Sequence, residues 1–206
     1  MTRPRDHAFA IAAALCVILG GVLPARPAVS APMPVAPADR PIVAVADFYS
    51  PGALPLAVVT DLERYAGDVL TGLLVRAGGG ALTVLPRSEV LTQQRALTWR
   101  SRDALNYGRL EALARALHAD RVMLGWITRV TVFRQDILAF NAEVALNIQM
   151  FQARDGRIVW QRETNGFGLS GSPDFAAQIA LQRGLGNGLA AAVAAASVPV
   201  DRTPAP

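Results

Sequence analysis

Lysine is absent from this chain of 206 residues, so all 20 basic residues are arginine; there is one cysteine and there are two histidines. Each shortage excludes a class of chemistry. Cys16 alone cannot build a disulfide framework, and His118 is the only histidine beyond the N-terminal region, so neither a Cys/His zinc site nor a histidine-activated nucleophile can be assembled. Aromatic residues make up only 6% of the chain against 52% hydrophobic, which describes a globular core of alanine, valine and leucine rather than a disordered segment. The acids are scattered, with no Asp-x-Asp or Glu-x-x-Glu spacing that would point to a carboxylate site. No catalytic group, cofactor site or metal site is therefore expected.

What is present begins with a segment for export. Arg3 and Arg5 precede an uncharged run of 16 residues, Ala8 to Leu23, and Ala28-Val29-Ser30-Ala31 offers small residues for cleavage. Residues 1–31 read as a signal peptide cut after Ser30, which places the mature protein in the periplasm. An uncleaved anchor is the alternative, and 16 residues fall short of the ~20 that span a bilayer. Leu15 before Cys16 is too large for lipoprotein processing, so no lipid is expected. Loss of this segment removes Arg3, Arg5, Arg26 and Asp6 and leaves 17 arginines against 15 acids, a balance without the basic footprint of nucleic-acid binding. Residues 32–40 form a proline-rich linker, 41–198 a single domain and 199–206 a frayed tail.

Within that domain, Ile42 to Phe48 reads as a buried strand, followed by a turn at Pro51-Gly52. Thr60-Asp61-Leu62-Glu63 fits a capping box, and Leu62, Ala66, Leu70, Leu73, Leu74 and Ala77 recur at helical spacing until three glycines stop the helix at Gly78. Ala81 to Leu85 is a second strand, and Ser88 is a plausible cap for the next helix. Asn106 can cap a third helix, whose Leu110, Leu113, Ala114 and Leu117 share one face and which runs into His118-Ala119-Asp120. Arg121 to Phe133 reads as a strand in which Gly125 marks a bulge or a close backbone approach. Ile137 to Gln152 alternates apolar and polar residues, as a sheet strand with one buried face does. Asp155-Gly156 predicts a two-residue hairpin into a strand from Arg157 to about Thr164. One final helix follows, with Pro173 in its first turn; Gly184, Gly188 and Ala192 form a row of small residues along it. The fold class is α+β: strand-helix-strand-helix, then a three-stranded antiparallel meander and a C-terminal helix, with helices packed on one side of a mixed five-stranded sheet.

The motifs VAVADF, VLPRSEVL, ALHADRVMLGWI and DGRIVWQ, in this order and followed by an alanine-rich helix, resemble the bacterial envelope domain shared by the curli secretion channel protein CsgG, the penicillin-binding-protein activator LpoB and the N-terminal domain of TolB. The resemblance covers Pro41 to about Ala196 and implies an exported, non-enzymatic domain that binds an envelope protein partner. It equally implies the alternative of a self-assembling subunit, since CsgG-type proteins form rings. The tight Arg134-Gln135-Asp136 connection departs from the long membrane-inserting hairpins of the channel members.

Gly166-Phe167-Gly168-Leu169-Ser170-Gly171 matches the dinucleotide pattern G-x-G-x-x-G, yet no strand ending in an acid follows about 20 residues later to hold a ribose; glycines that turn the chain onto the last helix explain it better. Arg95, Arg100, Arg102 and Arg109 form a cationic stretch, either an anion-binding patch or a solvated face. With Trp99 and Tyr107 beside them, the residues expected to meet a partner are Trp99, Arg100, Arg102, Tyr107 and Arg109. A small-molecule-binding or enzymatic domain ranks third, and an enzyme would need two or more of Asp47, Asp120 and Glu143 in one pocket. Sequencing or intact-mass measurement of the secreted protein is expected to find Ala31 as its first residue, without lipid; a chain that starts at Met1 or Thr2 contradicts the cleavage.

Overall fold

The structure, a computed structural model, describes residues 40–50 and 62–200. The signal peptide, the linker through residue 39, the Pro51-Gly52 turn, Thr60 and Asp61 of the capping box and residues 201–206 lie outside them. In chain order the elements are β1 (Ile42–Val45), α1 (Leu62–Gly78), β2 (Thr83–Val84), α2 (Arg87–Ala96), a 3-10 turn (Ser101–Leu105), α3 (Tyr107–Ala116), β3 (Arg121–Arg134), β4 (Phe140–Gln152), β5 (Arg157–Ser170), α4 (Pro173–Gly186) and α5 (Leu189–Ala196). The strands form one sheet in the order β2-β1-β3-β4-β5. β1 runs parallel to β2 and β3, and β3, β4 and β5 form the antiparallel meander. The α+β class and its mixed five-stranded sheet are as expected.

Strand alternation divides the core. Val43, Val45, Met123, Ile127, Val144, Leu146, Ile148 and Met150 point to one side, where they pack with Leu62, Ala66, Leu70 and Leu74 of α1 and with Ala176, Ala177, Ala180, Leu181 and Leu185 of α4. This is the main helical layer, completed by α5. Ala44, Ala46, Val122, Leu124 and Phe151 point to the other side and meet Val90 of α2 and Leu110, Leu113 and Ala114 of α3 in a smaller cluster. That second cluster reaches only the beginning of the meander. Beyond it, the face of β3, β4 and β5 turned away from α4 carries Arg129, Thr131, Asn141, Glu143, Asn147 and Asn165, which explains the polar half of the alternation.

The junction at Ala119-Asp120 does what a helix-to-sheet handover requires. Leu117 ends α3, His118 takes the left-handed conformation at φ +49°, and the Ala119 amide donates to the Ala114 carbonyl at 2.9 Å, which closes the helix end. Asp120 then accepts the Ile42 amide on its carboxylate at 2.7 Å, while its own amide donates to the Ile42 carbonyl at 2.9 Å. Arg121, only 2% exposed, donates to the carbonyls of Ala195 (2.7 Å), Ala196 and Val198 (2.7 Å), so a buried cation holds the negative end of α5. Burial pushes its guanidinium below the ordinary value while the neighbouring Asp120 opposes that shift.

Several local expectations need correction. β5 extends to Ser170 and absorbs the glycine-rich run. Its reason is backbone contact: a β-carbon at Gly166 would overlap the Ala180 carbonyl, and one at Gly168 the Ala176 carbonyl, so both glycines let α4 lie directly on β5. The final helix is two helices, broken at Asn187 and Gly188, and of the small-residue row Gly184 sits against Leu146 and the Gly166 backbone. Gly125 is a close approach, because the Phe48 ring occupies the space of its missing side chain; the register shift of β3 lies between Ile127 and Arg129 instead. The β4–β5 connection has four residues, since Gln152 pairs with Arg157. Pro86 rather than Ser88 stands at the N-cap of α2, whereas Asn106 caps α3 as expected, accepting the Arg109 amide at 3.2 Å.

Two glycines separate these causes. Gly168→Ala is expected to cost about 3 kcal/mol or more, because the obstacle is helix backbone and cannot turn aside. Gly186→Ala, with nothing within 4 Å, is expected to stabilise α4 by up to about 1 kcal/mol. Urea unfolding of the two variants checks both signs.

Candidate functional site

The carboxyl end of β1 is the most elaborate polar region of the described residues. Its centre is Arg87, the first residue of α2, whose Nε donates to Asp68 Oδ1 of α1 at 2.8 Å and whose Nη1 donates to the Val45 carbonyl at 2.8 Å, while Nη2 bonds Asp47 Oδ1. One guanidinium thus ties a helix on each side of the sheet to the end of β1. Gly67 makes the reach feasible, since a side chain there would collide with the Arg87 guanidinium.

Behind Arg87 lies Gln94, 3% exposed, whose amide oxygen accepts from the Asp47 amide at 3.2 Å and from Trp99 Nε1 at 3.1 Å. A buried amide of this kind must be satisfied to be tolerated, and here it fixes the indole in place. Beside it, α2 ends with the Trp99 amide bonded to the Gln94 carbonyl at 2.7 Å and with Thr98 at φ +48°. A β-branched residue in the left-handed region is an outlier that its surroundings must hold. Asp47, Arg64, Leu91, Gln94, Arg95, Thr98 and Trp99 together line an open cavity of about 220 Å³.

The residues expected to meet a partner separate by environment. Arg109 is drawn into the fold: its Nη2 donates to Asp103 Oδ2 at 3.0 Å and to the Leu97 carbonyl at 2.5 Å. Trp99 is half-buried and bonded to Gln94. Tyr107 is exposed, with its ring 6.1 Å from that of Phe151, and Arg100 and Arg102 are exposed as well. The three carboxylates that an enzyme would need do not converge. Asp47 faces Arg87 at one end of β1, Asp120 binds Ile42 at the other, and Glu143 pairs with Arg129 at 2.8 Å on the open face of the meander. Among the described residues there is no group of three or more His, Cys, Asp or Glu side chains placed to hold a metal ion, and no helix is long and apolar enough to cross a membrane.

Sequence reasoning singled out Asp47 but treated Arg87 only as part of a motif. The signal was present in Pro86-Arg87 after a strand, which places an arginine at the first position of a helix, although its partners 40 and 19 residues away have no local signature.

A second surface stands out at the far end of the meander. Phe133, Ile137, Leu138, Phe167, Leu169 and Phe175 are exposed by 53–81%. Phe133 pairs with Asn141 and Asn141 with Leu169, so the first and last strands place apolar groups in one row of the open face. The connection between β3 and β4 is held rather than loose. Asp136 Oδ1 accepts the amides of Leu138 (2.7 Å) and Ala139 (2.8 Å), and Arg134 donates to the carbonyls of Asp136 (3.0 Å) and Ile137 (2.7 Å). Ile137 and Leu138, each 81% exposed, are thereby displayed in fixed positions.

No family model matches the chain, and no curated protein does. Solved structures do show likeness. The LpoB C-terminal domain from Salmonella enterica is 18% identical, over 61% of this chain and 81% of that one, at a TM-score of 0.39. A lipoprotein from Neisseria meningitidis is 19% identical over 64% and 85%, with a TM-score of 0.48. A PelC dodecamer from Paraburkholderia phytofirmans is 16% identical over 76% and 89%, with a TM-score of 0.45. The LpoB domain is also named in the sequence resemblance, whereas the likeness to CsgG and TolB rests on the sequence motifs alone.

The Asp103–Arg109 pair sets a pH dependence. Burial by itself raises the Asp103 carboxyl, but the Arg100 amide at 2.9 Å and then the Arg109 guanidinium outweigh it and hold the group below its ordinary value of 3.8. A lowered folded value adds stability above the unfolded value of about 3.9, and that stability is lost as pH falls through the folded value. The stability gap between the natural chain and Asp103→Asn is expected to be full from pH 5 upward and to close below about pH 4. A gap that persists unchanged at pH 3 contradicts the assignment.

Proposed function

We propose that the chain is an exported, non-enzymatic protein of the cell envelope that acts as an adaptor or regulator by binding a protein partner in cell-wall or secretion machinery. The observation that carries this reading is the apolar far end of the meander. Single large hydrophobic side chains on a surface are ordinary, but six gathered at one end of a three-stranded sheet mark an interaction surface. Its loop is already fixed by Asp136 and Arg134, which lowers the ordering cost of association. Export to the periplasm without a lipid rests on the Arg3/Arg5 segment and on Leu15 before Cys16.

Arg100, Arg102 and Tyr107, exposed beside half-buried Trp99, remain a proposed second contact at the other end of the meander. Self-assembly is the alternative reading, because the same apolar end accepts another copy of the chain as readily as a different protein. Pairing through the outer edge of β5 is less suited to it: Arg183 Nη1 donates to the Phe167 carbonyl at 2.9 Å, and Asn187 Nδ2 to the Asn165 carbonyl at 2.8 Å.

The test is capture from an envelope extract with the natural chain, with an Ile137→Ser/Leu138→Ser variant and with an Arg100→Ala/Arg102→Ala variant. A protein captured by the natural chain is expected to be lost at least tenfold with the serine variant and retained with the other. Equal capture by all three contradicts the assignment to the far end. Light scattering at high concentration adds the second arm, since a clean monomer excludes self-assembly.

A further inference from the structure

The cavity at the carboxyl end of β1 has a chemistry of its own, independent of the apolar end of the meander. It opens between α1, which supplies Arg64, and the second half of α2, which supplies Leu91, Gln94 and Arg95, with Thr98 just past the end of that helix. α1 covers one side of the sheet and α2 the other. The crevice outside the carboxyl end of a strand flanked in this way is where open α/β sheets commonly hold small ligands.

Its charges are unequal in their commitments. Asp47 is paired with Arg87, so its negative charge is already compensated. Arg64 and Arg95 are exposed, and neither guanidinium has a hydrogen-bond or ion-pair partner among the described residues. Two unpaired guanidinium groups on one cavity favour an anion, and each offers the planar donor fork that matches a carboxylate or a phosphate. Leu91 and the indole of Trp99 supply apolar wall, and Gln94 holds that indole from behind. Thr98, kept in a left-handed conformation on the same wall, is the kind of local strain that collects at ligand sites. A volume of about 220 Å³ accommodates a molecule of roughly ten to fifteen heavy atoms but not a macromolecular domain.

We propose that this cavity binds a small organic anion, with its carboxylate or phosphate group between Arg64 and Arg95 and its apolar body against Leu91 and Trp99. The pairing of a double cation with an aromatic wall selects against a bare inorganic ion, which would gain nothing from the indole, and against a neutral aromatic molecule, which would leave both cations unmatched.

The full-length protein reports binding through Trp99 once Trp126→Phe and Trp160→Phe remove the other two indoles. Benzoate, phenyl phosphate, inorganic phosphate and benzyl alcohol are titrated at constant ionic strength. Either benzoate or phenyl phosphate is expected to give a saturable change in Trp99 emission, at least tenfold tighter than inorganic phosphate or benzyl alcohol, and the tighter of the two identifies the acid group. Arg64→Gln and Arg95→Gln are each expected to weaken it at least tenfold, whereas Arg76→Gln, an exposed arginine at the far end of α1 and outside the cavity, leaves it unchanged. These surface substitutions leave the core intact, which circular dichroism confirms for each variant. No saturable response to either organic anion, equal affinity for inorganic phosphate, or equal weakening by Arg76→Gln overturns the proposal.

Discussion

Two opposite charges side by side at the start of β3 hold this fold together. Asp120 fastens the first strand, through the Ile42 amide, to the strand that follows it in space but comes 78 residues later in sequence. Arg121, on the next position, fastens the end of the last helix through three carbonyls. A cation 2% exposed is expensive to bury, and removal of its carbonyl partners would leave that cost uncompensated. The first and last elements of the domain therefore depend on one dipeptide. Without it, β1 loses an anchor and α5 loses the charge at its negative end.

From that anchor the sheet grows unevenly. β1 and β2 span four and two residues, while the meander strands span 13 or 14, about 45 Å at the usual rise per residue. α4 follows β5 along one face, helped by Gly166 and Gly168, whereas α2 and α3 are too short to cover the other face beyond its first third or so. The uncovered remainder is polar in the middle and apolar at its end. The exposed apolar end is then a consequence of how far the meander outruns its helices, and the fixed β3–β4 loop displays the most exposed apolar residues there.

Much of this was legible in the residues. The helical spacing of Leu62, Ala66, Leu70 and Leu74, the Asn106 cap and the alternation from Phe140 to Met150 all follow local rules that the tertiary structure obeys. Several of the failures share one cause, which is a neighbour distant in sequence. Gly166 and Gly168 resemble a loop until the α4 backbone is placed against them. Leu181, Leu185, Leu189 and Val193 keep helical spacing across Asn187 and Gly188, so the break between α4 and α5 leaves no trace in the pattern. The arginines near α2 and α3 look equivalent in sequence, yet Asp103 and the Leu97 carbonyl engage Arg109, while Arg95 lines a cavity with Arg64 from another helix. Apolar periodicity shows which face is core; it does not show which charged group finds a partner.

The same division applies to function. The anion cavity at the end of β1 and the apolar end of the meander are separate surfaces, and the Asp120–Arg121 anchor lies outside both. The central claim, that the far end of the meander is where a partner docks, is tested most directly by hydrogen exchange on the full chain with and without its captured partner. Protection concentrated in residues 133–141 and 165–171 is the predicted result. Protection confined to residues 95–109, with the far end exchanging as in the free chain, would contradict it.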